Sequence, residues 1–260
     1  MSEATDTGPV GSPRRPFGAF DLNLRSVEEA VAAATARLRQ GRGFTLFTAN
    51  LDHLAKMRSD GAFRAAYARA DLVTADGWPV VWRARREGFE ADRATGADML
   101  VPLCRALAAL GAAVHFVGPS ADVQPRALER LAALAPGLNV AGAETPNLPA
   151  RPDAKTVDAL AARIAEGGAR VCVLALGAPK QELIADALRD RLPDVGFLCC
   201  GAALDFVAGA SRRAPKPVQR LGLEWAWRVL GDPARLARRY AACGLPFALI
   251  ALGRDPAPSR

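Results

Sequence analysis

The chain has 260 residues, half of them hydrophobic and 23% charged, which is typical of a soluble globular protein with one sizeable core. The longest apolar run near the C-terminus, residues 245–252, is far shorter than the roughly 20 residues that a membrane-spanning helix needs. Five cysteines without CxxC spacing and only two histidines argue against a disulfide framework and against a His/Cys metal site.

The net charge of +7 is concentrated at one end of the chain. Residues 211–260 hold ten basic and three acidic residues, whereas the first 210 residues hold 24 of each. A basic block of this kind typically meets phosphate, in a nucleic acid, an anionic lipid surface or a polyphosphate substrate.

In chain order, the polar and Pro/Gly-rich start predicts a disordered tail over residues 1–20. It lacks the apolar core of a signal peptide, so we expect a cytoplasmic protein. Ser26 and Glu29 form a capping-box pattern that predicts a helix over 27–40. Short apolar segments then alternate with helical ones, the first being a strand over 43–50 and a helical stretch ending at Ala70.

The same alternation continues to residue 210. We expect strands at 72–75, at 113–120, at 138–144 and at the starts of segments 170–182 and 195–206, with helices over 79–87, 96–110, 122–135 and 153–166. Continuous apolar strands between helices are typical of a parallel sheet covered on both faces. The predicted fold is therefore α/β, a Rossmann-like domain over 21–210 with a small helical C-terminal appendage over 211–260.

In such sheets ligands bind outside the carboxyl ends of the strands. Polar and glycine residues follow the predicted strands at those ends, and we expect one crevice lined by Thr48, Asn50, Asp76, Gly118 to Ser120, Gly177 to Gln181 and Gly201 to Asp205.

Asp76 stands between an apolar strand and a Gly-Trp-Pro turn. Taken alone, it is most simply a cap for the helix that follows. The functional alternative is a general base at the mouth of the crevice, where a carboxylate can accept a proton from a substrate hydroxyl.

Two further turns have the same double interpretation. The segment around Gly177, Lys180 and Gln181 begins a helix whose free N–H groups suit an anion, yet it is equally a plain strand-to-helix connection. Asp205 suits a pair of ribose hydroxyls or a helix cap. His115 lies in an apolar strand and is expected in the core, and we expect no major substrate role for His53.

The sequence motifs of several common enzyme classes are absent from this chain. It lacks GxGxxG, GxxxxGK[ST] and GxSxG, which argues against nicotinamide or flavin enzymes, P-loop NTPases and common esterases. We therefore expect no cofactor and no metal ion. In the appendage, Arg228, Arg235 and Arg238 share helical pieces with apolar residues and two tryptophans, a pattern that favours an anionic membrane surface over a nucleic acid.

The order of these motifs resembles the WecG/TagA/CpsF family of bacterial glycosyltransferases. The resemblance covers residues 20 to 240 and rests on the segments TANLDHL, ADGWPVV, RATGADML, FVGPS, LGAPKQE, LDFVAGASRRAP and GLEWAWRVLGDPARLARRY. It implies transfer of a sugar from a UDP-sugar donor to a polyprenyl-diphosphate-linked saccharide acceptor. It also implies an inverting enzyme on the inner face of the membrane that is not known to need a metal ion.

The resemblance also implies roles for individual residues. Asp76 matches the family's proposed base, and Thr48, Gln181 and Arg93 match polar residues of its pocket. Asp205 matches the acid expected at the nucleoside. Arg228, Arg235 and Arg238 match appendage arginines thought to hold the diphosphate. The absence of a DxD motif agrees with arginines in place of a metal ion at the leaving group.

This sequence departs from its relatives at Trp78, beside the acid, which we expect to bear on the choice of acceptor. The resemblance leaves the donor sugar open among N-acetylmannosamine, its uronic acid and glucuronic acid, and it leaves open which cell-surface polysaccharide or exopolysaccharide is made. A homo-oligomer is possible. Two alternative functions also remain: a nucleotide-sugar hydrolase or epimerase on the same scaffold, and a nucleic-acid-binding protein.

Overall fold

The computed structural model describes residues 15–18, 20–220, 224–231 and 241–256. The strands are β1 (Arg15–Phe17), β2 (Phe20–Leu22), β3 (Phe44–Ala49), β4 (Leu72–Ala75), β5 (Val114–Val117), β6 (Val140–Glu144), β7 (Val171–Leu174) and β8 (Gly196–Cys199). The helices are α1 (Val27–Arg39), α2 (Leu51–Ser59), α3 (Gly61–Arg69), α4 (Trp78–Arg86), α5 (Gly96–Ala109), α6 (Gln124–Leu134), α7 (Ala154–Glu166), α8 (Lys180–Arg189), α9 (Ala203–Ala208), α10 (Lys216–Arg220), α11 (Glu224–Gly231) and α12 (Gly244–Ala251).

The main sheet has six parallel strands in the order β4-β3-β8-β7-β5-β6. Side chains alternate between two separate cores on its faces, as the pleat of a strand requires. On β3, Phe44 and Leu46 belong to one core, whereas Phe47 and Ala49 belong to the other. The predicted α/β class with helices on both faces is thus confirmed.

The first strands correct one expectation. We predicted a disordered tail through residue 20, but β1 and β2 form an antiparallel pair that starts at Arg15. Phe17 and Phe20 are fully buried, and the Phe20 ring lies 5.2 Å from the ring of Tyr67. Burial of two aromatic side chains offsets the entropy lost when this short segment becomes ordered. The polar composition of the preceding residues gave no sign of this burial.

The helical stretch that we predicted up to Ala70 is two helices. Asp60 ends α2, and its Oδ1 accepts a hydrogen bond of 3.1 Å from the backbone N–H of Phe63. An aspartate before a glycine competes for the helix N–H groups, so it starts the new helix α3 at Gly61.

The C-terminal helix α12 is part of the packed body rather than a separate unit. It packs against α2 and α4, and its Ile250 is buried in the same core as β3. The chain after it is held by the buried Arg83 of α4, whose guanidinium donates a hydrogen bond to the backbone oxygen of Arg254. The described part of the appendage therefore shares its core with the sheet domain.

The start of α5 lies directly against the end of β8. A Cβ atom added at Gly96 would be 2.7 Å from Cα of Cys200 and 2.9 Å from its carbonyl oxygen. Because both obstacles are backbone atoms, no side-chain rotation can relieve the contact. This glycine allows α5 to begin at the strand ends, beside the crevice.

We predict that Gly96→Ala lowers the free energy of unfolding by about 1–3 kcal/mol, since α5 must move away from β8. Gly61→Ala is the matched control, because the nearest atom to its Cβ would be Arg64 Nη2 at 3.7 Å. Urea denaturation of both variants measures the difference. Equal stability of the two alanine variants would contradict the close approach.

Candidate active site

A cavity of about 1190 Å³ opens at the carboxyl ends of the parallel strands. Of the residues predicted to line one crevice, the cavity wall contains Thr48, Asn50, Asp76, Gly177, Lys180, Gln181, Gly201 and Asp205, and Arg93, which the family resemblance indicated, also lines it. Gly118 is different: it is buried, and its neighbours Pro119 and Ser120 provide the wall instead. The topology therefore brings together residues that lie as far as 157 positions apart, from Thr48 to Asp205.

Asp76 follows β4 and faces the end of β3. Its Oδ2 accepts long hydrogen bonds of 3.4 Å from the Thr48 hydroxyl and from the Asn50 amide. The N-cap of α4 is Gly77 with a φ of +106°, and α4 has no side-chain cap hydrogen bond. The helix-cap alternative for Asp76 therefore finds no support, and its carboxylate is oriented by two neutral donors in the cavity wall.

Those two donors are themselves fixed by the protein. Asn50 caps α2, its Oδ1 accepting a 3.1 Å hydrogen bond from the His53 backbone N–H. The backbone oxygen of Thr48 accepts a hydrogen bond of 2.8 Å from the buried Tyr67 hydroxyl. His53 is also buried, with Nδ1 2.7 Å from both that backbone oxygen and the Tyr67 hydroxyl. His53 thus supports the strand end that carries Thr48.

Gln181 lies at the start of α8 and is almost fully buried. Its amide oxygen accepts hydrogen bonds from the backbone N–H groups of Gly177 at 3.2 Å and Gly201 at 3.0 Å. Its amide nitrogen donates to Glu182 Oε1 at 2.8 Å. Gln181 therefore joins the turns that follow β7 and β8 while contributing to the cavity wall.

Glu182 has no exposed surface, and burial raises the pKa of its carboxyl to about 7. Hydrogen bonds from Gln181 and from its own backbone amide oppose this rise, and so does the charge of Lys56. A carboxyl in an apolar core ionises reluctantly because the charged form loses its hydration. The protonated form of this side chain therefore persists to a higher pH than in a free glutamic acid.

Lys180 and Asp205 provide charged groups of opposite sign in the wall. Lys180 Nζ donates a hydrogen bond of 2.8 Å to the backbone oxygen of Leu148, in a loop that also lines the cavity. Burial raises the pKa of Asp205, and the charge of Asp122 adds to the rise against the effect of its own backbone amide. Asp205 lies in the first turn of α9, where no side chain caps the helix.

The turn after β5 needs a glycine. Gly118 has a φ of +83°, and a Cβ there would lie 2.6 Å from the backbone oxygen of Ala175. The buried Gln124 amide donates to the backbone oxygens of Gly118 at 2.8 Å and Glu144 at 2.9 Å, which holds this turn beside β6. The contribution of Gly118 is therefore the shape of the wall.

Arg93 lies in a cluster of charges that joins the sheet domain to the appendage. Its guanidinium donates to Glu224 Oε2 at 3.1 Å and to Gln219 Oε1 at 2.8 Å, both in the appendage. In return, Arg213 of the appendage donates to Asp98 Oδ1 at 2.7 Å. Two opposite pairs crossing the same junction fix the first appendage helices against α5.

Burial disfavours ionisation of Asp98, but hydrogen bonds from Arg213 and Thr95 outweigh it and lower the pKa of Asp98. Thr95 caps α5, accepting from the Asp98 N–H at 3.1 Å and donating to its Oδ2 at 2.8 Å. Sequence reasoning singled out Arg93 but missed Thr95, Asp98 and Arg213. The T-x-x-D spacing at 95–98 is a helix-capping pattern, and it could have identified Thr95 and Asp98 from the sequence.

The predicted appendage arginines are only partly covered by the structure. Arg228 lies in α11, whose backbone is described, but its side chain and all of Arg235 and Arg238 lie outside the described residues. What the structure adds from the appendage is Gln219, Glu224, Cys243, Gly244 and Phe247 in the cavity wall. Within the described ranges, no group of three His, Cys, Asp or Glu side chains is placed to hold a metal ion.

Apolar side chains border the mouth of the cavity. Trp78 and Phe247 line it and are 49% and 53% exposed. The Arg85 guanidinium lies 5.9 Å from the centre of a Trp78 ring. Leu245 and Leu252 of the α12 region are also exposed. Over the described residues, no helix is both long enough and apolar enough to span a membrane.

The sequence profile of the glycosyl transferase WecG/TagA/CpsF family matches residues 17–259, which is nearly the whole chain. The matched range contains every residue of the cavity wall.

The raised pKa of Glu182 predicts a pH-dependent stability. Between its ordinary value of 4.5 and its folded value of about 7, the folded protein binds more protons than the unfolded chain, so stability falls as the pH rises through this window. Glu182→Gln removes that loss. Its stability gain over the wild type should grow from near zero below the window to at most about 3 kcal/mol above it.

Denaturation at pH 4, 5.5, 7 and 8.5 measures this gain, pH values chosen to bracket the window. Asp190→Asn serves as the control on the same helix, because a hydrogen bond from Arg69 lowers the pKa of Asp190 and its effect should have the opposite sign. A gain for Glu182→Gln that does not change with pH would contradict the buried-acid interpretation.

Proposed function

Because the chain belongs to the WecG/TagA/CpsF family of glycosyl transferases, we propose that it transfers a sugar from a UDP-sugar to a polyprenyl-diphosphate-linked saccharide with inversion at the anomeric carbon. The observation that carries the proposal is the placement of Asp76. Its carboxylate lies in the wall of a cavity of about 1190 Å³, oriented by Thr48 and Asn50. That volume suits a substrate larger than a single sugar.

Asp76 is the proposed general base. The acceptor hydroxyl oxygen bonds to the anomeric carbon while the bond from that carbon to the diphosphate oxygen breaks on the opposite face. The hydroxyl proton passes to the Asp76 carboxylate, and UDP leaves with the bonding electron pair. Thr48 and Asn50 donate to one carboxylate oxygen, Oδ2, at 3.4 Å. These two bonds orient Oδ2 in the cavity wall, and a carboxylate held at that place can accept a proton from an acceptor hydroxyl.

The departing diphosphate needs positive charge nearby. Lys180 lies in the cavity wall at the start of α8, where the helix dipole adds a partial positive charge. Arg93 also lines the cavity, where two of the five N–H groups of its guanidinium donate to Gln219 and Glu224. We propose that Lys180 and the appendage arginines Arg228, Arg235 and Arg238 stabilise the leaving group.

Asp205 is proposed to bind the ribose hydroxyls of the donor. Asp205 lines the cavity at the turn after β8. Gln181 joins this turn to the neighbouring turn of Gly177. A carboxyl at a strand end is the usual partner of a ribose diol in α/β folds. Because the pKa of Asp205 is raised, the carboxylate that accepts hydrogen bonds from the ribose hydroxyls forms at a higher pH than in a free aspartic acid.

The acceptor is proposed to reach the cavity from a membrane surface. Phe247 of α12 lines the cavity and is exposed, and Leu245 of the same helix is exposed as well. The exposed Arg86 adds positive charge close to Trp82, and the exposed Arg85 lies close to Trp78 while pairing with Asp92. Aromatic and basic residues together are typical of proteins that lie on anionic membranes. We propose a peripheral position on the inner face of the cytoplasmic membrane.

We predict that Asp76→Asn retains the fold and UDP affinity but loses at least about 100-fold in kcat, since the amide cannot take the acceptor proton. Calorimetry with UDP and a transfer assay with the lipid-linked acceptor measure the two quantities. Asp158 of α7 has an exposed carboxylate that pairs with Arg191, and the control variant Asp158→Asn should transfer normally. Normal turnover by Asp76→Asn would show that the base lies elsewhere.

We also predict that the double change Leu245→Ser and Phe247→Ser reduces binding to anionic liposomes about tenfold, by removing apolar area from the contact. Co-sedimentation with phosphatidylglycerol vesicles measures it. Leu134→Ser on α6 is the matched control, since Leu134 is also exposed but lies away from the cavity. An equal loss in both proteins, or none in either, would contradict this surface.

A further inference from the structure

A buried carboxyl and a buried amide stand next to each other at the start of α8. Gln181 is 3% exposed and Glu182 has no exposed surface. Glu182 contributes nothing to the cavity wall, whereas Gln181 lines it. The two side chains are joined by a hydrogen bond of 2.8 Å from Gln181 Nε2 to Glu182 Oε1. Burying an ionisable group costs free energy, so a carboxyl at this position calls for an explanation.

The surroundings permit only one orientation of the Gln181 amide. Its oxygen lies 3.2 Å from the backbone nitrogen of Gly177 and 3.0 Å from that of Gly201, and both nitrogens are donors. Rotating the amide by 180° would set its NH₂ group against two N–H groups and its oxygen against the Glu182 carboxyl. Glu182 Oε1 and the two backbone N–H groups therefore favour the same orientation, in which the amide oxygen bonds both turns.

We propose that Glu182 is a positioning residue for the donor subsite: it fixes the Gln181 amide, which in turn holds the glycine turns after β7 and β8 at their observed separation. The inference rests on the proposed function, because it takes the cavity beside those turns as the UDP-sugar site. Both turns contain a glycine with positive φ, +73° at Gly177 and +56° at Gly201. The Gln181 amide oxygen is an acceptor that the two turns share, so it ties their spacing to the position of one side chain.

The acceptor role does not require a charge on Glu182. Ionised and neutral carboxyls both present a lone pair at Oε1, and among the described residues Oε2 has no hydrogen-bond partner. The charged and titratable groups around it are Lys56 and Asp52 of α2, Tyr67 of α3 and Cys199 of β8. A glutamine at 182 can offer the same oxygen to Gln181, whereas a methionine of similar length offers none.

Amide hydrogen exchange followed by NMR tests the positioning directly, without substrate. Glu182→Met should speed exchange at Gly177 and Gly201 about five- to tenfold, the value expected for loss of one hydrogen bond, and Glu182→Gln should leave it near the wild-type rate. Asp190→Asn, at the far end of α8, is the control and should change neither. Unchanged exchange in Glu182→Met overturns the inference.

A double-mutant cycle on UDP affinity separates positioning from general destabilisation. Glu182→Met and Gln181→Met should each weaken UDP binding about tenfold, and the double variant should be no weaker than Gln181→Met alone. Additive losses would overturn the inference, since Glu182 would then act apart from Gln181. If Glu182→Met does not fold, the amide exchange rates of Gly177 and Gly201 in Gln181→Met, together with the activity of Glu182→Gln, test the inference instead. A wild-type protein that binds no UDP would overturn the proposed function instead, leaving the exchange experiment to judge Glu182.

Discussion

The register between β3 and β4 is the constraint on which the candidate site depends. Ala49 pairs with Ala75, and the Asp76 N–H donates a 2.8 Å hydrogen bond to the backbone oxygen of Ala49. This pairing sets Asp76 opposite the end of β3, so that Thr48 and Asn50 both reach its carboxylate. A shift of one residue would turn the side chains of a strand to its other face and separate the three groups. Packing of both faces of the sheet therefore protects the geometry of the proposed base.

The charges of the C-terminal segment have a structural use that the overall balance does not reveal. Arg213 bonds Asp98 and lies near Glu224, while Arg93 bonds Glu224 across the same junction. Part of the basic excess thus neutralises acids of the junction instead of facing a phosphate. The same contacts bring Gln219 and Glu224 into the cavity wall. The docked appendage therefore supplies part of the wall of the proposed site.

Much of the fold and of the candidate site could be predicted from sequence because strand ends and helix caps are local features. Short apolar strands gave the sheet, and Asp76, Thr48 and Asn50 follow from which residues end them. The hydrogen bonds of Arg93 to residues 126 and 131 positions away could not be predicted, because no periodicity encodes contacts at that distance. Nor does the order of residues in PKQE say that Gln181 bonds two turns and that Glu182 is buried; both depend on how α8 packs against β8 and α3.

The most direct measurement is a transfer assay in which each of a set of UDP-sugars is offered with and without a synthetic polyprenyl-diphosphate saccharide. The products are identified by mass, and the configuration of the new glycosidic bond by NMR. We expect one donor to release UDP only when the lipid-linked acceptor is present, giving a bond of inverted configuration. Release of UDP or free sugar without acceptor, or a product of retained configuration, would contradict the proposed inverting transferase with Asp76 as its base.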